Sequence, residues 1–287
     1  MTQPSAVLDQ RQKAKQFRDL HHSGRLLILP NIWDPLGALL LENLEFHAVA
    51  TASASIAFSN GYDDGENIPF STLLTLLKRI TASVSIPVSA DVESGFATDE
   101  LALKENMKQL IETGIVGINI EDTDKKTNSL LPCDVQCEKI KAIREVANEM
   151  DVPLLINART DVYIRGKDFD TTESKYEETL KRGLAYKNAS ADCFYPITLT
   201  NRDDIKKLVE QLQMPVNVVT MPGLPELKVL NEMGVARLSL GPSFLKIAIR
   251  SMKNLAIKLQ NYEGLSDIVD NEVTSAYLKD LVDKKYR

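Results

Sequence analysis

The feature that most constrains the fold is a unit that repeats along the whole chain. In each unit a stretch with helical periodicity reaches a Gly, Asn or Pro break, and a compact apolar run of strand length follows. The runs are spaced by roughly 20 to 40 residues, which is the length of a strand and its return helix. Eight runs follow this pattern: RLLILP, LENLEFHAVATAS, SIPVSAD, IETGIVGINIED, VPLLINARTD, YKNASADCFYPIT, MPVNVVT and LNEMGVARLSLGP.

Most of these runs are continuously apolar rather than alternating, which is typical of strands buried on both faces of a parallel sheet. Eight such units predict an α/β fold, a (β/α)8 TIM barrel. The alternative is an open doubly wound sheet, but no G-x-G-x-x-G turn follows any of the runs. A helix is also predicted in DELALKENMKQLIETG, capped by Thr98 and ending at Gly114.

The chain of 287 residues is 44% hydrophobic, enough for one large core. We therefore predict a single domain over residues 1–287. It comprises an N-terminal helix in residues 1–24, the barrel in 25–250 and a C-terminal helical extension in 251–287. The extension contains one helix more than a plain barrel needs, and an added amphipathic helix commonly packs on a neighbouring subunit. We therefore expect a homodimer or homotetramer that assembles through the C-terminal helices.

Charge and composition exclude several classes of partner. The formal net charge is −6, whereas nucleic acids and anionic membranes select clustered Lys and Arg. No segment approaches the ~20 apolar residues of a membrane span, and the N-terminus lacks the apolar region of a secretory signal. The three cysteines are sparse and odd in number, which indicates free thiols and a cytoplasmic protein.

Polar residues follow several strands at their C-terminal ends, where barrel enzymes place their catalytic groups. Asp91 and Glu93 follow the third run, and Glu121 and Asp122 the fourth. The other candidates are Thr51, Ala52, Ser53, Asp63, Asp64, Asn157, Arg159 and Asp161.

Carboxylates that converge on one mouth repel each other, by about 4 kcal/mol for unit charges ~4 Å apart at an effective dielectric near 20. Either their pKa values rise or a cation lies between them. The available ligands are oxygens, since none of the three histidines lies at the C-terminal end of a strand. This favours Mg²⁺, or Mn²⁺, over zinc. Such an ion would chelate a 2-oxo acid and stabilise its enolate.

Arg159 has two interpretations at this stage. Its guanidinium is suited to gripping a substrate carboxylate or phosphoryl group as a fork. It is equally suited to a structural ion pair with Glu121 or Asp161.

The ordered motifs IWD, ATASAS, NGYDDGE, SADVESGF, GINIEDT, KKTNSL, INARTDVYIRG and GVARLSLGP resemble the isocitrate lyase/phosphoenolpyruvate mutase superfamily, over about residues 28 to 250. The resemblance implies a helix-swapped (β/α)8 barrel that binds Mg²⁺. It also implies a lyase or mutase that breaks or forms a C–C or C–P bond next to a 2-oxo acid.

Site roles follow from the same resemblance. Asp91 resembles the direct metal ligand of the family, and the acids that bind the metal's waters correspond to Asp64, Glu93 and Glu121. Substrate binding is implied for Thr51, Ala52, Ser53 and Arg159. A catalytic role is implied for Arg159 and, in the loop after the fourth strand, for Lys126 and Asn128.

This chain departs from its relatives in the same loop. The lyase branch carries Lys-Lys-Cys-Gly-His there with a catalytic Cys, whereas this sequence reads Lys-Lys-Thr-Asn-Ser at 125–129. That form is similar to the phosphoenolpyruvate mutase-like branch, although Ala50 and Ile197 replace an aromatic residue and a His of that branch. The leading hypothesis is mutase-like chemistry on a small 2-oxo acid. The alternatives are a C–C lyase or oxaloacetate decarboxylase-like enzyme, and a 2-oxo acid-binding barrel without activity.

Overall fold

The computed structural model describes residues 4–167 and 169–284, so both ends of the predicted domain fall outside the described residues. The described chain forms the predicted barrel of eight parallel strands, with the first strand divided at Pro30. The barrel strands are β1 (Leu27–Leu29) with β2 (Asn31–Ile32), β3 (Val49–Thr51), β4 (Val88–Asp91), β5 (Gly117–Glu121), β8 (Leu155–Thr160), β9 (Cys193–Pro196), β10 (Asn217–Val219) and β11 (Arg237–Ser239).

The ring closes through the divided first strand. The β1 part pairs with β11 and the β2 part pairs with β3, both in parallel. Pro30 lies between the two parts because it has no N–H to donate, while its carbonyl accepts from Ala50 at 2.9 Å. A single bridge between Phe194 and Val216 joins β9 to β10.

Thirteen helices are present in the described part of the chain. They are α1 (Pro4–His21), α2 (Pro35–Asn43), α3 (Ser53–Ser59), α4 (Phe70–Ser83), α5 (Glu100–Glu112), α6 (Cys133–Glu149), α7 (Val162–Arg165), α8 (Thr172–Asn188), α9 (Arg202–Leu212), α10 (Leu227–Glu232), α11 (Ser243–Gln260), α12 (Leu265–Val269) and α13 (Ser275–Lys284). Among the described residues, no helix has the length and apolar composition needed to cross a membrane.

The start of α5 corrects one sequence prediction. Asp99, not Thr98, is the N-cap, and its side chain accepts the Ala102 N–H at 2.9 Å. Thr and Asp both cap helices well. Asp99 is the cap here because it lies three residues before Ala102, whose N–H needs a partner.

The apolar core lies between the strands and the surrounding helices, whereas much of the barrel interior is polar. On β9, Phe194 points outward, with its ring 6.1 Å from that of Tyr186 on α8. Inside the barrel, Asn157 donates to Asn119 at 2.7 Å. Successive side chains of a strand point to opposite faces. The apolar side chains of the strands therefore lie mainly on the outer face of the barrel, against the helices. The interior thus provides a polar floor beneath the C-terminal mouth.

The two ends of the chain pack on the barrel. Phe17 of α1 is fully buried against Gly117, the first residue of β5, where a Cβ would lie 2.6 Å from the Phe17 ring. Helix α11 runs unbroken across residue 250, so the predicted boundary between barrel and extension lies within one helix. Helix α13 packs against α2 of the same chain and buries Leu281.

Candidate active site

The structure brings the predicted strand-end residues to one end of the barrel. Thr51, Asp91 and Glu121 are the final residues of β3, β4 and β5, and Arg159 is the penultimate residue of β8. The parallel register places Glu121 directly beside Arg159. These side chains form the mouth of the barrel.

Asp91 is oriented by the segment that follows β3. Its Oδ2 atom accepts hydrogen bonds from the Ser53 backbone N–H at 3.3 Å and from the Ser53 hydroxyl at 3.1 Å. Its backbone N–H donates to the Thr51 hydroxyl at 3.1 Å. The Ala52 N–H donates to the Ile32 carbonyl at 3.4 Å. Thr51 and Ser53 therefore position Asp91 in this structure, and the predicted role of residues 51–53 in substrate binding stays a prediction.

Asp64 lies near Asp91 on the loop between α3 and α4. Burial and the negative charge of Asp91 raise the pKa of Asp64, whereas Ser53, Lys125 and Arg159 act to lower it. The negative charge of Asp91 thus acts on the Asp64 carboxylate, and Lys125 and Arg159 act against it.

Glu93 turns back into the mouth from a tight bend after β4. Its backbone adopts a left-handed φ of 51°, which is uncommon for a residue with a side chain. Its carboxylate accepts from the Glu66 N–H at 2.8 Å and from the Lys125 ammonium at 2.7 Å. Burial raises the pKa of Glu93 to about 7, although Lys125 opposes the rise.

Lys125 is the residue of the mouth that the sequence did not reveal. It lies in a short hairpin formed by β6 (Thr123–Asp124) and β7 (Ser129–Leu130). Its ammonium lies 2.7 Å from Glu93 Oε2 and 2.7 Å from Glu121 Oε1. Burial opposes the charge on Lys125, but the two carboxylates outweigh burial and raise its pKa. Lys125 is therefore the counter-ion of both acids.

Arg159 is anchored by two acids, as one interpretation of the sequence proposed. Its Nη1 lies 2.9 Å from Glu121 Oε2, and its Nε and Nη2 donate to Asp161 at 2.6 and 3.0 Å. Asp161 also accepts from the Thr123 hydroxyl at 2.6 Å. These contacts use three of the five guanidinium N–H donors and leave one on each terminal nitrogen.

Lys126 and Asn128 lie apart from the acids at the turn of the hairpin, where both are exposed. The turn is held by Asp124, which accepts from the Lys126 N–H at 2.8 Å through its side chain and from the Asn128 N–H at 2.8 Å through its carbonyl. Asn128 has a left-handed φ of 56°. Their catalytic role stays a prediction.

The root of the hairpin is fixed by a buried network around Asp122. The Asp122 carboxylate accepts from Tyr186 at 2.6 Å, from Thr160 at 2.7 Å and from Arg182 at 3.0 Å. Arg182 also donates to the Leu131 carbonyl at 3.0 Å. Burial raises the pKa of Asp122 against the effect of these partners. This network ties both ends of the hairpin to α8.

The cysteines lie elsewhere. Cys133 and Cys137 are half-buried on α6, one helical turn apart. Burial, and to a smaller extent the neighbouring thiol of Cys133, raises the pKa of Cys137 to about 11. Cys193 is fully buried on β9, and burial raises its pKa to about 12. All three are free thiols, and none lies in the 123–130 hairpin.

The acids of the mouth suit a hard cation by their chemistry. Within residues 4–167 and 169–284, no three His, Cys, Asp or Glu side chains form a ready metal cage. Two of the four predicted acids instead share Lys125, while Asp64 and Asp91 repel each other. Mg²⁺ typically takes only one or two direct carboxylates and keeps several waters. The chemistry of these carboxylates therefore fits Mg²⁺, and the assignment of Asp91 as its direct ligand, with Asp64, Glu93 and Glu121 binding its waters, stays a prediction.

A family model described as phosphoenolpyruvate phosphomutase matches residues 17–260. An uncharacterized protein of Mycobacterium tuberculosis is 33% identical over 225 residues, which cover 78% of this chain and 81% of that protein. The 2-methylisocitrate lyase of Bacillus subtilis is 25% identical over 214 residues, covering 72% and 67%. A solved structure from Burkholderia cenocepacia, described as a candidate phosphonomutase, has 35% sequence identity and a TM-score of 0.81, and the match covers 85% of this chain and 99% of that one.

Proposed function

Because the chain belongs to the phosphoenolpyruvate phosphomutase family, we propose that it is a Mg²⁺-dependent lyase or mutase that acts on a small 2-oxo acid. The observation that carries the proposal is the convergence of acids at the barrel mouth: Ser53 holds Asp91 at 3.1 Å, and Glu121 lies 2.9 Å from Arg159. When bound there, Mg²⁺ would draw electron density from the carbonyl and carboxylate oxygens of the substrate.

The residues of the chain orient the reaction. Ser53 and Thr51 fix the position of Asp91, because Ser53 binds one carboxylate oxygen and Thr51 accepts from the backbone N–H. Glu121 and Asp161 hold the plane of the Arg159 guanidinium, and its two remaining N–H donors are available to a substrate anion. The structural and substrate-binding interpretations of Arg159 are therefore compatible.

The bond that is broken is proposed to be C–P rather than C–C. The thiol-assisted route needs a Cys in the loop after β5, and this chain carries Thr127 there. The nearest cysteine in sequence, Cys133, packs against Cys137 on α6. A C–C lyase remains the second candidate, because a 2-methylisocitrate lyase is among the relatives. It would have to work without this thiol, as would an oxaloacetate decarboxylase-like enzyme.

We also propose that the protein is a homo-oligomer assembled through its C-terminal helices. Helix α11 exposes large apolar side chains along its length, including Ile249 at 52% and Met252 at 65%. Such a row is costly in water and suits a subunit interface. The free thiols agree with the proposed cytoplasmic location.

A substrate panel tests the proposed function. Phosphonopyruvate, oxaloacetate and 2-methylisocitrate are each incubated with the protein and Mg²⁺, with EDTA as the metal-free control, and products are followed by ³¹P and ¹H NMR. Turnover of phosphonopyruvate that EDTA abolishes is the expected result. Turnover of 2-methylisocitrate at ordinary enzyme rates would contradict the assignment of the bond.

Binding without chemistry is measured in parallel. Oxalate, which resembles the enolate of pyruvate, should bind the Mg²⁺-loaded protein in calorimetry and should not bind Asp91→Asn. Oxalate binding with no product from any substrate would favour the barrel that binds a 2-oxo acid without activity. Absence of both Mg²⁺ and oxalate binding would refute the proposed function.

A further inference from the structure

The barrel interior holds a buried cation that the proposed chemistry has not yet used. Arg237, the first residue of β11, is fully buried and is the largest fully buried side chain described. Its Nε donates to Ser239 at 3.1 Å and its Nη2 donates to Asn119 at 3.1 Å. Within the described part of the chain, Nη1 has no hydrogen-bond partner and no carboxylate forms an ion pair with this guanidinium.

A buried guanidinium without an acid partner is unusual, because burying an unpaired charge is costly. Burial lowers the pKa of Arg237 from its ordinary value, but arginine starts so high that it keeps its charge. The groups that face it are Cys193, Tyr195, Asp91 and His21. His21 stays neutral, because burial and then Arg237 lower its pKa to about 3. Asp91 is thus the carboxylate that feels this charge.

The position of Arg237 relates it to the mouth. Its hydrogen-bond partner Asn119 lies in register with Asp91 on β4 and with Asn157 on β8. Asn119 and Glu121 lie on the same face of β5, with Glu121 one step nearer the mouth. Arg237 therefore lies beneath the carboxylates, in the polar floor, where water does not screen its charge.

We infer that Arg237 is an electrostatic positioning residue, whose fixed positive charge holds the anionic substrate in the mouth and at the same time weakens cation binding at Asp91. The inference rests on the proposed function, because it concerns the same site. Its consequence is that the mouth favours a substrate of high negative charge, such as a 2-oxo acid with a second anionic group. A purely structural arginine would have no reason to affect the two ligands in opposite directions.

The test removes the charge and measures both ligands. In Arg237→Gln the charge is lost and an amide remains to bond Ser239 and Asn119. In Asn119→Asp the arginine is retained. The new carboxylate has nearly the same shape as the amide it replaces, and it neutralises the charge of Arg237. The control Asn148→Asp adds the same charge at an exposed position at the end of α6. Calorimetry gives the Kd of Mg²⁺ for metal-free protein and the Kd of oxalate at saturating Mg²⁺.

Arg237→Gln, which removes the charge, and Asn119→Asp, which neutralises it, should both bind Mg²⁺ about threefold to tenfold more tightly and oxalate more weakly by a similar factor. That range corresponds to unit charges roughly 8–12 Å apart at an effective dielectric between those of protein and water. Arg237→Lys keeps the charge and should restore both constants toward wild type, and Asn148→Asp should change neither. If Arg237→Gln fails to fold by circular dichroism, Asn119→Asp decides the outcome.

Two results would overturn the inference. Weaker binding of both ligands would mean that Arg237 only supports the structure, and unchanged binding of both would mean that its charge is not felt at the mouth. In either case the wild-type protein still binds Mg²⁺ and oxalate, so the proposed function stands. Failure of the wild-type protein to bind either ligand refutes the proposed function, and this inference with it.

Discussion

The central prediction concerns Lys125→Met, which removes the counter-ion shared by Glu93 and Glu121. The two carboxylates are 3% and 4% exposed, and each lies 2.7 Å from the ammonium. Breaking a buried ion pair typically costs 3–5 kcal/mol. The Lys125 side chain is 25% exposed and Arg159 still pairs with Glu121, so the lower end applies. We expect a loss of about 3 kcal/mol in the free energy of unfolding at pH 8.

The loss should depend on pH in a defined direction. The pKa of Glu93 rises from 4.5 to about 7 on folding. The contribution of Glu93 to the free energy of unfolding is therefore complete below about pH 4.5 and is lost as the pH rises through 7. Without Lys125 the pKa of Glu93 rises further, and the loss extends to higher pH. At pH 5 Glu93 is protonated in both proteins, so Lys125→Met should cost only about 1 kcal/mol there.

Urea unfolding at pH 5 and pH 8 in EDTA, followed by the fluorescence of the single tryptophan Trp33, measures both values. Lys126→Met is the matched control, because this neighbouring lysine is exposed at the hairpin turn and should change stability by less than about 0.5 kcal/mol. An equal loss at the two pH values, or equal effects of the two substitutions, would show that Lys125 does not pair with the buried acids in solution.

Three further predictions follow from the mouth and the C-terminal helices. Asp91→Asn should weaken Mg²⁺ binding at least about 100-fold by calorimetry. Its melting temperature in EDTA should stay equal or rise, because Asp64 loses its repulsive neighbour. A lower melting temperature would argue against that repulsion. Arg159→Lys should retain Mg²⁺ binding but weaken oxalate binding about tenfold or more, because the planar fork is lost; unchanged oxalate affinity would leave Arg159 a purely structural role. The double substitution Ile249→Glu and Met252→Glu should yield a monomer in light scattering if α11 forms the subunit interface, and an unchanged mass would place the interface elsewhere.

The sequence was sufficient for the architecture because the strands of a barrel are set by composition and spacing. All eight apolar runs form strands of the barrel, in the predicted order. Details that depend on three-dimensional geometry were not predictable. The first strand is divided at Pro30 because its β1 part pairs with β11 and its β2 part pairs with β3. Asp99 is the N-cap because its side chain is the one that reaches the Ala102 N–H.

The candidate site divides in the same manner. Asp91, Glu121 and Arg159 could be placed at one mouth because they end strands of a parallel barrel. Lys125 could not, because its position depends on a hairpin whose strands are two residues each and leave no periodic signal. The repulsion expected between the acids indicated that a cation lies among them. Lys125, four residues after Glu121, supplies part of that positive charge.

The network around Asp122 has a consequence for how such a protein acquires new chemistry. It anchors the hairpin at its base through Arg182, whereas residues 126–129 at the tip are exposed. Substitutions at the tip therefore leave the buried framework intact and carry little risk of misfolding. Changes of reaction can therefore be engineered at the tip without rebuilding the buried network at the base.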